Sequence, residues 1–299
     1  MPGVNSFDLV SKKCESWLNE AAINNGTTHC GGATITMIVC ADDYGLSDGI
    51  NEAILELCRR ARLTAVSCMV ALERCDAQSM ARLRELKSSV DIGLHLCLTE
   101  VGLPLSRCSA WAEGHRPQLP SFPKLVARSF FGVGVEHLAR TVAAQYELFI
   151  QKCGATPDFI DGHLYAHQLP RVADSLEAFV SGLPAGSRPY IRNADLSLLE
   201  LKSRYLPWLK AAFIGRAGRR MRQRLIKAHI RTNQGFAGIY DFKRFREYPS
   251  YLPRFVDCLP HKNGILVVHP GHGEDWREQE FATLQEFVFP PRKLNRFES

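Results

Sequence analysis

The chain has 299 residues, 45% hydrophobic and 23% charged, with a formal net charge of +6. Those proportions are globular and exclude the disordered, collagenous and low-complexity classes. No apolar run approaches the ~18 residues a membrane span needs, and no linker tract or internal repeat divides the chain.

Residues 7–21 place Phe7, Val10, Cys14, Trp17, Leu18 and Ala21 at helical spacing, which predicts an amphipathic helix in an N-terminal extension over 1–33. "NNGTTHCGG" (24–32) breaks it. "TITMIVCA" (34–41) is continuously apolar and β-branched, as in a strand covered on both faces. Ser47 or Asp48 then caps a helix with Ile50, Ile54, Leu57 and Cys58 on one face. Strands are predicted at 64–71, 90–98, 158–163, 188–194 and 264–271. Helices are predicted at 76–89, 136–152, 171–181 and 275–288, with a Pro-rich excursion around Pro104, Pro117, Pro120 and Pro123. A basic, mostly helical insertion occupies about 200–232. Alternating strands and helices predict an α/β fold, a mostly parallel sheet with helices packed outside, open or closed into a barrel.

The cysteines carry no framework. Ten are present without a C-x-x-C pair, and Cys40, Cys58, Cys68 and Cys97 fall in apolar segments where free Cys packs as a small hydrophobe. With no apolar h-region at the N-terminus, the expectation is a protein without a secretory signal in a reducing cytoplasm.

In such folds ligands meet the carboxyl ends of the strands, and the polar residues fall there. Asp42 and Asp43 end the first strand, His95 interrupts the third, Asp161 and His163 end the fourth, and His269 ends the last. Each has a bland reading alone: two aspartates before a glycine make a good turn, and a lone strand histidine is usually a core residue. Four coincident strand ends are harder to dismiss. One carboxylate and two histidines with open positions form a metal site for hydrolysis. A second carboxylate beside the first, kept off the metal, is placed to take a proton from water.

"ADDYG", "GLHLCLT", "IDGHLYAH" and "VVHPG", in this order, resemble the YdjC-like carbohydrate deacetylase family, also called ChbG/HpnK, over about residues 35–290. The resemblance implies a distorted (β/α) barrel with helical elaborations over 34–299, one divalent metal ion, and hydrolysis of the N-acetyl group of an amino sugar. Carried over by motif, Asp43, His95 and His163 are metal ligands. Asp42 is the catalytic base and His269 the acid or oxyanion partner, with Asp161 orienting a ligand histidine. Tyr44, Tyr165, His167 and Arg192 are read as substrate contacts. Two departures stand out: Cys40 replaces an asparagine common before "ADD", and Tyr165 replaces a histidine after "DGH". Ligand softness suits Zn²⁺, whereas relatives are often described with Mg²⁺.

Arg216, Arg219, Arg220, Arg222, Arg224, Lys227 and Arg231 form a run without an acid. It reads as a solvated helix face or as contact with an anionic or lipid-linked substrate at a membrane surface. Nucleic acid is not expected, because no base-stacking aromatics interleave the arginines. The competing functions are a metal hydrolase of another amide or of a phosphoester, with Arg192 on the phosphate, and an inactive relative that binds through the basic run. Sugar substrates would call on Tyr44, Tyr165 and Trp111.

Overall fold

The computed structural model describes residues 36–99, 119–131, 135–196, 208–260, 262–289, 293–294 and 296–297. The expected helix at 7–21, Trp111 and much of the Pro-rich excursion lie outside the described residues. Among the described residues eight strands form one sheet: β1 (Thr36–Tyr44), β2 (Ala65–Cys68), β3 (Asp91–Leu96), β4 (Phe159–Gly162), β5 (Tyr190–Ile191), β6 (Gly235–Ala237), β7 (Gly264–Val268) and β8 (Lys293–Leu294). Their order is β5-β4-β3-β2-β1-β7-β6, with β8 pairing β1, and all these pairings are parallel. Isolated parallel bridges Ile191–Thr232 and Leu196–Phe236 tie the β5 side to the β6 side. The sheet is thus curled into the expected distorted (β/α) barrel, with a thin seam opposite β1.

Between the strands run α1 (Asp48–Arg59), α2 (Ala77–Arg84), α3 (Phe122–Phe131), α4 (Val135–Cys153), α5 (Pro170–Gly182), α6 (Trp208–Lys227), α7 (Tyr248–Cys258) and α8 (Asp275–Glu286). Among the described residues no helix is long and apolar enough to cross a membrane.

The period of two in β1 builds two cores. Met37, Val39 and Ala41 join the large cluster under the helices, whereas Ile38 and Cys40 face inward with Phe159, Tyr190, Phe236, Ile265 and Val267. The barrel interior is tightly filled: a Cβ on Gly93 would lie 2.4 Å from the Phe159 ring. Ser47 caps α1 by accepting from the Ile50 amide at 3.2 Å. Sequence patterning had left α3, α7 and β6 unassigned. Pro249 and Pro253 punctuate α7 and mask its periodicity, and β6 is only three residues long.

Candidate active site

The first strand ends irregularly. Pairing of β1 with β2 shifts register between Ala41 and Tyr44, so Asp42 and Asp43 occupy the break. Asp43 takes a left-handed conformation (φ 69°), which an aspartate tolerates better than a bulky residue. Gly45 (φ 98°) then turns the chain, its amide donating to Asn51 Oδ1 at 2.6 Å. The consequence is that two adjacent carboxylates, both nearly fully buried, meet different partners.

Asp42 meets a guanidinium. Arg192 Nη1 and Nη2 donate to its two oxygens at 2.6 Å each, and Arg192 Nε stands 3.0 Å from Asp161 Oδ2. Arg192 is itself 1% exposed, so one buried cation is shared by two buried carboxylates. Cys40, Asp42 and Asp161 could geometrically surround a metal, but the guanidinium occupies that position.

Asp43 meets the two histidines. Its Oδ1 lies 3.6 Å from His95 Nε2 and 3.2 Å from His163 Nδ1, and the three ligand atoms fall within 4.8 Å of one another. Arg277 Nη2 donates to Asp43 Oδ2 at 2.7 Å. Burial opposes the charge on Asp43, but its hydrogen bond with His163 and its interactions with His163, Arg277 and His269 hold the carboxyl well below its usual range. His95 Nδ1 donates to Asp161 Oδ1 at 2.6 Å, and Ser67 Oγ donates to the same oxygen at 2.5 Å. That hydrogen bond fixes the tautomer and leaves the Nε2 lone pair facing Asp43 and His163. Against burial, which works the other way, Arg192 and His95 hold Asp161 at about 2. A carboxylate oxygen, a lone pair turned inward by its neighbour and a second imidazole nitrogen are a donor set that fits a divalent cation.

His163 opens a short 3₁₀ turn (His163–Gln168) in which Leu164 and Tyr165 both have positive φ, 54° and 58°. Two consecutive left-handed residues are strained, and they swing Tyr165 over the cavity, edge-on to Phe236 at 5.8 Å. His269 leaves β7 facing the same cavity. Burial pushes its imidazole down to about 4.

The cavity holds about 410 Å³ and is lined by Asp42, Asp43, His95, His163, Tyr165, His269 and Arg277 among others. Three residues read as substrate contacts stand behind its wall. Tyr44 is fully buried and its hydroxyl donates to the Ser79 carbonyl at 2.7 Å. His167 Nε2 donates to the Arg192 carbonyl at 2.8 Å, and burial pushes its imidazole down to about 4. Arg192 is spent on Asp42 and Asp161. Each of the three makes a buried polar contact within the fold, which proximity in sequence to the site motifs does not distinguish from a cavity position.

Four contributors were missed: Ser67, Arg277, Trp276 and Glu280. Ser67 looked like a neutral strand residue. Arg277 and Glu280 sit in "DWREQE", whose charges read as a solvated helix, yet both are buried, at 4% and 0% exposure. The available signal was the i, i+3 spacing of an arginine and a glutamate just after "HPG".

The basic run is partly neutralised. Arg219 and Arg222 pair with Asp195, and Arg224 with Asp174 and Glu177. Arg216 and Arg220 line a smaller cavity that shares Gln168, Leu169, Phe213 and Ala217 with the main one.

The chain is similar to several known proteins. The chain is 28% identical over 156 residues to a chitooligosaccharide deacetylase of Escherichia fergusonii, covering 48% of this chain and 55% of that protein. It is 29% identical over 182 residues to one of Yersinia enterocolitica, covering 60% and 69%. The chain thus spans about half to two-thirds of the length of these relatives. A solved Enterococcus faecalis structure, provisionally named a cellobiose-phosphate cleavage protein, superposes with a TM-score of 0.58 over 85% of this chain and 92% of that one, at 17% identity. That likeness concerns the fold. The profile of the YdjC-like proteins matches residues 36–290, and the chain belongs to that family.

Proposed function

We propose that this chain is a metal-dependent carbohydrate deacetylase, hydrolysing the N-acetyl group of an amino sugar, with residues 34–299 as its barrel domain. The observation that carries the reading is the division of labour between neighbouring aspartates: Asp42 paired to Arg192, Asp43 facing His95 and His163. The curated relatives are named for deacetylation of chitooligosaccharides, which makes a glucosamine oligomer the first substrate to test.

Asp43, His95 and His163 would hold the cation, which in such a site lowers the pKa of water toward ~7 and polarises a carbonyl. Asp42 removes the proton from the attacking water. Arg192 orients it through two hydrogen bonds at the wall of the cavity. The arriving oxygen forms a tetrahedral centre whose negative charge is met by positive groups at the mouth, each good contact worth on the order of 3 kcal/mol. Collapse requires a proton on the departing nitrogen, and His269 is the donor. Tyr165, Trp276 and Tyr240 supply apolar surface against a sugar ring. Arg216 and Arg220 would act on an anionic or lipid-linked portion of a longer substrate.

Phosphoester hydrolysis is the weaker reading, because the arginine assigned to it, Arg192, is buried between Asp42 and Asp161. The deciding experiment measures acetate released from N-acetylated chitooligosaccharides, with metal content by mass spectrometry and p-nitrophenyl phosphate as the contrast. Stoichiometric metal and acetate release are expected. Phosphate release without acetate release would overturn the assignment.

A further inference from the structure

Behind His269 sits a carboxyl group that the mechanism above does not use. Glu280, on α8, is fully buried. Its Oε2 accepts the His269 backbone amide at 2.5 Å, and its Oε1 accepts the Tyr240 hydroxyl at 2.8 Å. Oε1 also lies 3.9 Å from His269 Nδ1, a buried nitrogen without a hydrogen-bond partner. Two separate contacts therefore hold the carboxyl beside the buried Nδ1 edge of the ring.

We propose that Glu280 is the positioning residue of His269 and that the two hold one proton between Oε1 and Nδ1. The inference rests on the reading of His269 as the donor to the leaving nitrogen. Burial pushes Glu280 up to about 7 and His269 down to about 4, so at rest the shared proton stays on the carboxyl. Other groups act on the pair: Tyr240, Tyr248, Arg277 and Asp43 on Glu280, and Asp42, Asp43, Arg277 and Arg192 on His269. When negative charge develops in the cavity, the proton moves to Nδ1 and the 3.9 Å gap closes to hydrogen-bond length. Nε2 then gives its own proton to the departing nitrogen. The C–N electron pair leaves with the amine, and acetate keeps the oxygen from water. Afterwards Nδ1 returns its proton to Glu280, and Nε2 regains the one Asp42 took from water.

The test compares Glu280→Gln, Glu280→Asp and His269→Ala on two substrates, di-N-acetylchitobiose and p-nitrophenyl acetate, whose leaving group needs no proton. For Glu280→Gln the expectation is a kcat on the amide reduced about 10- to 100-fold, within the range that acid–base catalysis supplies. KM and the ester rate should be nearly unchanged. The alkaline limb of the kcat–pH profile should move to lower pH, because glutamine cannot store the proton and His269 alone loses it early. Glu280→Asp keeps the carboxyl and should recover part of both effects; it also carries the test if the glutamine variant does not accumulate. Equal losses on both substrates with an unmoved limb would mean that Glu280 only supports the backbone. An unchanged amide rate in both Glu280 variants would likewise overturn the inference. Retention of amide hydrolysis by His269→Ala would instead overturn the donor role of His269, a different failure.

Discussion

At the scale of residues, the adjacent aspartates are separable because their second partners differ. Asp42→Asn keeps shape but cannot accept a proton, so metal content should hold while kcat falls by about 10²–10⁴, the usual contribution of a general base. Asp43→Asn removes the ligand charge and should lower metal affinity, with partial rescue by added metal. Rescue of the Asp42 variant alone would mean the roles are reversed. Arg192 acts on both sides: Arg192→Met leaves Asp42 buried without its cation and Asp161 with only His95 and Ser67, and breaking such a buried pair costs about 3–5 kcal/mol. Chemical denaturation should show that loss even in metal-free protein, whereas a substrate contact would leave stability untouched. Tyr165→His tests the remaining departure from relatives. Tyr165 lines the cavity and is not one of the three grouped ligands, so relative rates among sugars should change and metal affinity should not. A fall in metal content in that variant would count against the trio as assigned.

Elements explain why the trio was legible and its supports were not. A strand that stops at a charge is visible in one dimension, so Asp42, Asp43, His95, His163 and His269 could be picked from β1, β3, β4 and β7. All five line one cavity. Depth behind the cavity wall is not visible in one dimension. Tyr44, His167 and Arg192 lie close in sequence to the site motifs, yet their polar atoms point to Ser79, the Arg192 carbonyl and the Asp42–Asp161 pair. Glu280 and Arg277 were hidden the opposite way, as charges on a helix that looks solvated. The same limit applies to backbone elements: α7 was obscured by Pro253 in its interior. The cap of α1 was legible, and its weight is measurable. Ser47→Ala should cost about 1 kcal/mol, seen as a lower urea midpoint at unchanged m-value, because only the Ile50 amide loses its partner.

For the whole molecule, the buried titratable groups predict how stability follows pH in metal-free protein. Burial holds His167 and His269 near 4, below the ~6.5 of a free imidazole. Between those values the unfolded chain binds more protons than the folded one, so stability rises with pH across that window. Each histidine contributes on the order of 3 kcal/mol, fully present above about 6.5. Glu280 works in the opposite sense. Its folded pKa, about 7, exceeds the ~4.3 of a free glutamate, so its contribution is present below that value and is lost as pH rises to 7. His95 adds to this fall: burial lowers its pKa, but Asp161, Asp42 and Asp43 together lift it, so it stabilises only while protonated. Two rising contributions dominate below 6.5, and only falling ones remain above it. The melting temperature of metal-free protein should therefore peak near pH 6.5. Glutamine at position 280 should flatten the alkaline side of that peak while leaving the acid side in place. A monotonic rise to pH 9 in the unaltered protein would mean that Glu280 is ionised throughout, and that its burial is relieved by a partner other than Tyr240 and the His269 amide.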